Sequence, residues 1–400
     1  MRVPLSRPSI TQREIDLVVE VLSSGTLSLG GRLPEFEEHF AAYVGARYAV
    51  AVNSGTSALH LCVRALGIGA QDAVITSSFS FVASANCLLY EGALPIFVDI
   101  DPETLNLDPR KIERYLREEC SYAPGSPYPV DRKTGRRVRA ILPVHVFGLP
   151  CDLDAICAIA EEYGLQILED ACEALGAEYQ GRRVGTFGNA GVFAFYPNKQ
   201  MTTGEGGMIV TNDASLADAC RSMRNQGRDE SCSWLQHARL GYNYRLSELH
   251  CALGLGQLER IGELLQLRAH AAAVYDRLLS GVDELILPAA PSGRTRSWFV
   301  YVVRLNMPSP RALRDHMLGE LRAQGIGCQA YFPSIHQQPY FASYTPHGGW
   351  NLPQTERASA SSIALPFFPG ESEQEIEQAC TALSALLEQN ASANPILLSA

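Results

Sequence analysis

The chain has 400 residues, 46% of them hydrophobic and 19% charged, with a formal net charge of −10. That is enough for about two to three domains' worth of core, and the composition is that of a folded chain rather than a disordered one. The acidic balance, with no lysine/arginine run, speaks against nucleic acid or an anionic membrane as a partner held by bulk electrostatics, but allows a small anion gripped by a few placed donors.

The opening MRVPLSRPSITQREID has no apolar stretch of the kind a secretory leader needs. No apolar run approaches the ~20 residues that span a bilayer. Eleven cysteines are scattered from Cys62 to Cys380 without a CxxC pair, which reads as free thiols in a reducing compartment. The cytoplasm is the expected location.

Ile10–Gly25 reads as an amphipathic helix closed by glycine, and Leu33–Gly45 as another. β-type and helical segments then alternate. Tyr48–Asn53 is a short strand and Ser57–Gly69 a helix. AVITSS is a strand and FVASANCLLYEG a helix; LPIFVDID is a strand and DPRKIERYLREEC a helix. VRAILPVHVFG is a strand, LDAICAIAEEYG a helix and LQILED a strand. This alternation, running to about residue 225, predicts a mostly parallel sheet covered on both faces. Ser121–Arg137, rich in Pro, Gly and charge, reads as an exposed excursion before the strand at Val138. From Tyr244 a long helical stretch is expected to bend at Gly254 and Gly256. Beyond it, SWFVYVVRL and CQAYF read as strands, and SPRALRDHMLGELRAQG and SEQEIEQACTALSALLEQ as helices. They form a second, smaller α/β unit. The expected division is 1–250, a large α/β domain, and 251–400, a smaller one entered by the long helix.

Ligands of open α/β sheets gather at the carboxyl ends of strands, and three segments there draw attention. In AVAVNSGTSALHL a strand ends at Asn53 and a helix follows Ser-Gly-Thr-Ser, so backbone N–H groups and hydroxyls offer a phosphate site. An ordinary N-cap explains the same residues, and no Gly-Lys-Ser/Thr follows to make a Walker A loop. In LQILEDACEALGA the acids Glu169 and Asp170 end an apolar strand, where a carboxylate needs a cationic or N–H partner, or caps a helix. In GVFAFYPNKQMTTGEGGMIVTND, Gly191–Asp213, Lys199 stands where one apolar run ends and the chain turns back. A surface turn would explain a single lysine. A partly desolvated lysine at a sheet end is instead a nucleophilic amine, and the glycines after it let backbone approach a ligand. Together the phosphate cup, the strand-end acid and the lysine are the parts of a pyridoxal 5′-phosphate (PLP) site.

NSGTSALHL, EDACEALGAEYQGRRVGTFG, FAFYPNKQMTTGEGGMIVTND and GYNYRLSELHCALGLGQLERI resemble the DegT/DnrJ/EryC1/StrS aminotransferases over nearly the whole chain. The resemblance implies the aspartate-aminotransferase fold (PLP fold type I) and PLP-dependent transfer of an amino group, from L-glutamate, to a nucleotide-linked keto-sugar, with a 4-keto-6-deoxy sugar favoured over a 3-keto one. It implies that Lys199 forms the Schiff base and that Asp170 faces the pyridine nitrogen. It places Glu173 near the phenolic oxygen, Gly55, Thr56 and Ser57 at the phosphate, and Phe81 against the ring. Asn243 matches a residue delivered to the phosphate from the partner subunit, which implies a homodimer with shared sites. His336 matches a histidine near the substrate, and a hydrogen-bonded structural histidine explains it equally. Many relatives carry a serine where this chain has Ala194. Other readings of the scaffold are a PLP-dependent sugar dehydratase or lyase, disfavoured by Lys199, a non-catalytic PLP-binding regulatory protein, and an amino-acid aminotransferase. No metal site is expected.

Overall fold

A computed structural model describes residues 2–122, 125, 127–229, 233, 236–345 and 349–393. Helices α1 (Gln12–Ser24) and α2 (Arg32–Val44) come first, each stopped by a left-handed glycine, Gly25 and Gly45. Strand β1 (Tyr48–Val52) and helix α3 (Gly55–Ala65) open the alternating part. There follow β2 (Asp72–Thr76), α4 (Ala83–Tyr90), β3 (Leu94–Phe97) and α5 (Pro109–Glu119). Next come β4 (Cys120–Tyr122), β5 (Pro129–Asp131), β6 (Arg137–Leu142), α6 (Leu153–Tyr163) and β7 (Gln166–Asp170). Short strands β8 (Glu178–Tyr179) and β9 (Arg182–Arg183) precede β10 (Ala190–Ala194), β11 (Gly207–Thr211) and α7 (Ala214–Arg224).

The main sheet runs β1-β11-β10-β7-β6-β2-β3. Only β11 is reversed against its neighbours along this path; the β10/β7, β7/β6, β6/β2 and β2/β3 pairs are parallel. Both faces are buried, as parallel strands require. Val50 and Val52 pack into one core with Leu59, Leu88 and Leu216, while Ala49 and Ala51 pack into the other with Phe36, Phe40 and Leu255.

The excursion before β6 is more ordered than the sequence suggests. β4 and β5 pair as a hairpin, and β5 touches β6 through Val130 and Arg137. Asp131 is buried there, accepting from the Tyr115 hydroxyl at 2.9 Å and from the Thr134 N–H at 2.8 Å. Residues 123, 124 and 126 of the excursion lie outside the described residues.

The long helical stretch is not interrupted at its glycines. Helix α8 (Glu248–Glu259) continues unbroken through Gly254 and Gly256, and the break comes at Arg260, before α9 (Ile261–Leu279). A Cβ on Gly254 would stand 2.7 Å from the Phe36 ring, and one on Gly256 2.8 Å from the Glu14 side chain. The glycines let α8 approach α2 and α1 closely; they do not interrupt it.

Beyond α9, β12 (Leu285–Ile286), β13 (Arg294–Thr295) and β14 (Tyr301–Leu305) lead to α10 (Arg311–Ala323), α11 (Pro353–Ser361), β15 (Ser362–Leu365) and α12 (Glu373–Ala393). An antiparallel sheet β12-β14-β15 packs with Tyr275, Met317, Leu321 and Leu383 into a third core. CQAYF is not a strand: only Gln329 bridges to Ala364. The chain then leaves the sheet so that Phe332 packs on Phe147 and Phe79, and Tyr331 on Phe299. Among the described residues no helix is long and apolar enough to cross a membrane.

Candidate active site

Sheet register brings the three segments together. Gly207, the first residue of β11, faces Val52 on one side and Ala194 on the other. One strand further, Asp170 follows the same edge, opposite Val192 of β10. The ends of β1, β10 and β7 therefore form one row, from which the serine/glycine turn, the lysine turn and the acid emerge.

At the first of these, Ser54 is extended and caps α3, its Oγ accepting the Ser57 N–H at 3.0 Å. The Ser54 and Ser57 hydroxyls also lie 2.9 Å apart. Capping is thus present, yet it uses only one of the orphan donors at a helix start, and those of Gly55 and Thr56 belong to the same unpaired set. A Cβ on Gly55 would stand 2.7 Å from the Ala194 Cβ and 3.0 Å from the Cys172 sulfur. The helix start reaches β10 and the end of β7 because residue 55 is glycine. Ala194 therefore lies at the N-terminus of α3.

Strand alternation separates the two acids. Glu169 turns to a structural role: its carboxylate accepts the N–H groups of Phe187 at 2.6 Å and of Gly188 and Gly185 at 2.8 Å each. Asp170, 5% exposed, accepts from the Ser84 hydroxyl at 2.7 Å and the Cys172 N–H at 3.1 Å. Among the described residues no cation lies within salt-bridge distance of it.

Lys199 follows β10 in a turn closed by its N–H to the Tyr196 carbonyl at 2.9 Å. Its side chain is 13% exposed, with Nζ 3.8 Å from Glu173 Oε1 and 3.9 Å from the centre of the Phe299 ring. The other Glu173 oxygen accepts the Phe147 N–H at 2.9 Å. Burial pushes the Glu173 carboxyl above the ordinary range, with the Lys199 charge acting against it. Burial and Asp170 raise the Cys172 thiol, and Lys199 pulls it the other way, so the acid, the thiol and the amine share one electrostatic neighbourhood. The Gln200 amide ties this turn to the Glu173 carbonyl at 2.5 Å and the Ser297 carbonyl at 3.1 Å.

Of the remaining candidates, Phe81 is 60% exposed, so it is no core phenylalanine. It stands next to the acid's support, its carbonyl accepting the Ser84 N–H at 3.3 Å. Asn243 is exposed and bridges to Asn225. Its neighbours are anchored: Asn53 donates its N–H to the Tyr244 carbonyl at 3.0 Å, which lays this segment beside the strand leading into α3. His336 is bound on both ring nitrogens, to the Ser78 hydroxyl at 2.7 Å and Glu356 at 3.2 Å. Those bonds fix the ring and fit a structural histidine. Sequence reading missed Ser84, Cys172 and Phe299. Cys172 lies within a motif already singled out and Ser84 three residues after Phe81, whereas Phe299 carries no local signal.

The family model described as the DegT/DnrJ/EryC1/StrS aminotransferase family matches residues 8–384. GDP-perosamine synthase of Caulobacter vibrioides is 36% identical over 389 residues, covering 96% of this chain and 98% of the relative. The spore coat polysaccharide biosynthesis protein SpsC of Bacillus subtilis is 35% identical over 396 residues, 96% of this chain and 97% of its own. The crystal structure of S. venezuelae DesV in complex with a ketimine intermediate superposes with a TM-score of 0.85 at 33% identity, covering 96% and 98% of the two chains. The architecture is that of the PLP fold type I aminotransferases. With nearly its whole length matched by the family model and by relatives of this similarity, the chain belongs to the DegT/DnrJ/EryC1/StrS aminotransferase family.

Proposed function

We propose that the protein is a PLP-dependent aminotransferase that moves an amino group from L-glutamate to a nucleotide-linked keto-sugar, with a 4-keto-6-deoxy sugar as the preferred acceptor. The single observation that carries the reading is the meeting, at one sheet edge, of a nearly buried amine at Lys199 and a buried acid at Asp170 that has no cation within salt-bridge distance among the described residues. A carboxylate so placed is costly unless a positive group faces it, and a protonated pyridine nitrogen is such a group. The donor set fits the rest of the cofactor: helix α3 offers unpaired N–H groups and the Thr56 and Ser57 side chains to a phosphate. Relatives named as a GDP-perosamine synthase and a polysaccharide biosynthesis protein support the sugar-nucleotide class.

In this reading Gly55, Thr56 and Ser57 hold the phosphate, Phe81 covers the ring and Glu173 stands near the phenolic oxygen. Bound PLP supplies an electron sink that stabilises negative charge at the carbon losing its proton. Lys199 would hold the cofactor through its Nζ, and the amine freed when the amino group of the donor takes that place would move the proton from the donor's α-carbon. Asp170 stands on the inner side of the site, where the Ser84 hydroxyl and the Cys172 N–H orient its carboxyl group. Glu173 keeps a carboxylate beside the amine. The exposed Asn243 reaches the phosphate of a second copy, so the working unit is a homodimer with shared sites. His336, held between Ser78 and Glu356, is placed toward the substrate end by the family resemblance.

The test is direct. Purified protein incubated with PLP, L-glutamate and a nucleotide-linked 4-keto-6-deoxy sugar should yield an amino sugar nucleotide and 2-oxoglutarate, read by mass. No amine from either a 4-keto or a 3-keto acceptor would contradict the sugar assignment.

A further inference from the structure

Helix α9 carries one residue of unusual cost. Arg268 is 1% exposed, yet no carboxylate lies within salt-bridge distance of it among the described residues. Its guanidinium spends its donors on carbonyls: Nη2 on Lys199 at 2.7 Å and on Asn198 at 3.3 Å, Nη1 on Phe299 at 3.1 Å. Its Nε finds no partner among the described residues. The group also lies 5.7 Å from the centre of the Phe367 ring. Burial pulls its pKa down to about 9, which still leaves it charged near neutrality.

A buried guanidinium that only binds carbonyls is a poor stabiliser, because an apolar side chain of the same length would fill the space without desolvating a charge. Its geometry explains its presence. The carbonyls it grips belong to the turn that bears Lys199 and to Phe299, the residue whose ring lies 3.9 Å from the Lys199 amine. One planar fork therefore fixes both where the lysine side chain starts and the surface on which its amine rests. Lysine could not do this, since its single ammonium lacks the fork.

We infer that Arg268 is a positioning residue for Lys199, which holds the amine where it meets the cofactor carbonyl. This rests on the cofactor reading above. Displacing a reacting group by about an ångström costs on the order of 10²-fold in reactivity, so an untied Lys199 should bind the cofactor worse even with the phosphate cup intact.

The experiment uses the full chain and Arg268→Met, with Arg268→Lys as the second variant should the first fail to fold. Borohydride trapping followed by peptide mass reads the PLP concentration needed for half-maximal covalent adduct at Lys199. Pyridoxine 5′-phosphate, which has no aldehyde, reads the cup alone. Both variants should need at least about ten-fold more PLP for the adduct, while their affinity for pyridoxine 5′-phosphate stays within about two-fold of the parent's. Wild-type adduct formation in the variants would overturn the inference. So would parallel loss of both ligands with a fall in thermal midpoint, which marks a purely structural pin. If the parent protein itself forms no adduct at Lys199, the cofactor reading fails first, and that result is distinct from a variant that matches its parent.

Discussion

The Glu173 carboxylate lies 3.8 Å from the Lys199 amine, close enough to feel its charge and too far to lock it in a hydrogen bond. Burial raises the Glu173 pKa and Lys199 opposes that rise. Its negative charge is therefore lost at a higher pH than in a free glutamate as the solution is acidified. Glu173→Gln keeps an acceptor for the Phe147 N–H but has no charge to lose. The acid side of the kcat/KM profile should shift or flatten in this variant. Profiles that superpose would show that Glu173 does not set that limb.

Asp170→Asn keeps the size of the side chain and one oxygen, which can still accept the Cys172 N–H, while its amide NH2 replaces the oxygen that accepts from the Ser84 hydroxyl and can donate to that hydroxyl instead; the charge is removed. Turnover should fall by at least about 10²-fold, with the thermal midpoint unchanged or raised, because an uncompensated buried charge is gone. An asparagine variant with parental activity would remove Asp170 from the chemistry.

Ala194 stands against the start of α3, within touching distance of Gly55. Ala194→Ser adds a hydroxyl at the proposed phosphate position. One added hydrogen bond contributes roughly 1 kcal/mol, about five-fold in dissociation constant. PLP titration should show tighter binding in the variant. Equal or weaker binding would place the phosphate elsewhere or show that its donors are already complete.

Glu371 offers a test of stability away from the chemistry. Its Oε1 accepts from the Tyr275 hydroxyl at 3.4 Å, and Oε2 has no partner among the described residues. Burial, with repulsion from Glu375, pushes it up to about 8. Between the unfolded value of about 4.3 and that point, the folded chain holds a proton that the unfolded chain has released, so stability falls as pH rises. Glu371→Gln should remove this slope, which amounts to at most about 1.4 kcal/mol per pH unit. Thermal midpoints at about pH 5 and about pH 8 read it. An equal loss in parent and variant would contradict the burial argument.

The lysine turn was legible in the sequence because everything that defines it is local: a strand, a turn, glycines and a returning strand within Gly191–Asp213. The pairing of β10 with β11 is the simplest way to fold that pattern, and the structure uses it. From the strand alone Glu169 and Asp170 are legible only as a pair, and the family resemblance is what singles out Asp170. Which acid faces the site depends on strand parity and on the loop at Gly185–Gly188, whose N–H groups take Glu169. Gly254 and Gly256 misled because a glycine in a helix marks either flexibility or close approach, and only the facing side chains, Phe36 and Glu14, decide between them. Phe299 and Arg268 carry no signal of their own. They reach Lys199 from distant segments through backbone carbonyls and a ring face, and such contacts exist only after folding.

The most direct measurement is the absorbance spectrum of the protein with PLP, recorded before and after L-glutamate and repeated on Lys199→Ala. The account predicts a cofactor band that depends on Lys199 and that glutamate converts to the pyridoxamine form. A spectrum that glutamate leaves unchanged, or a band that survives in Lys199→Ala, would contradict it.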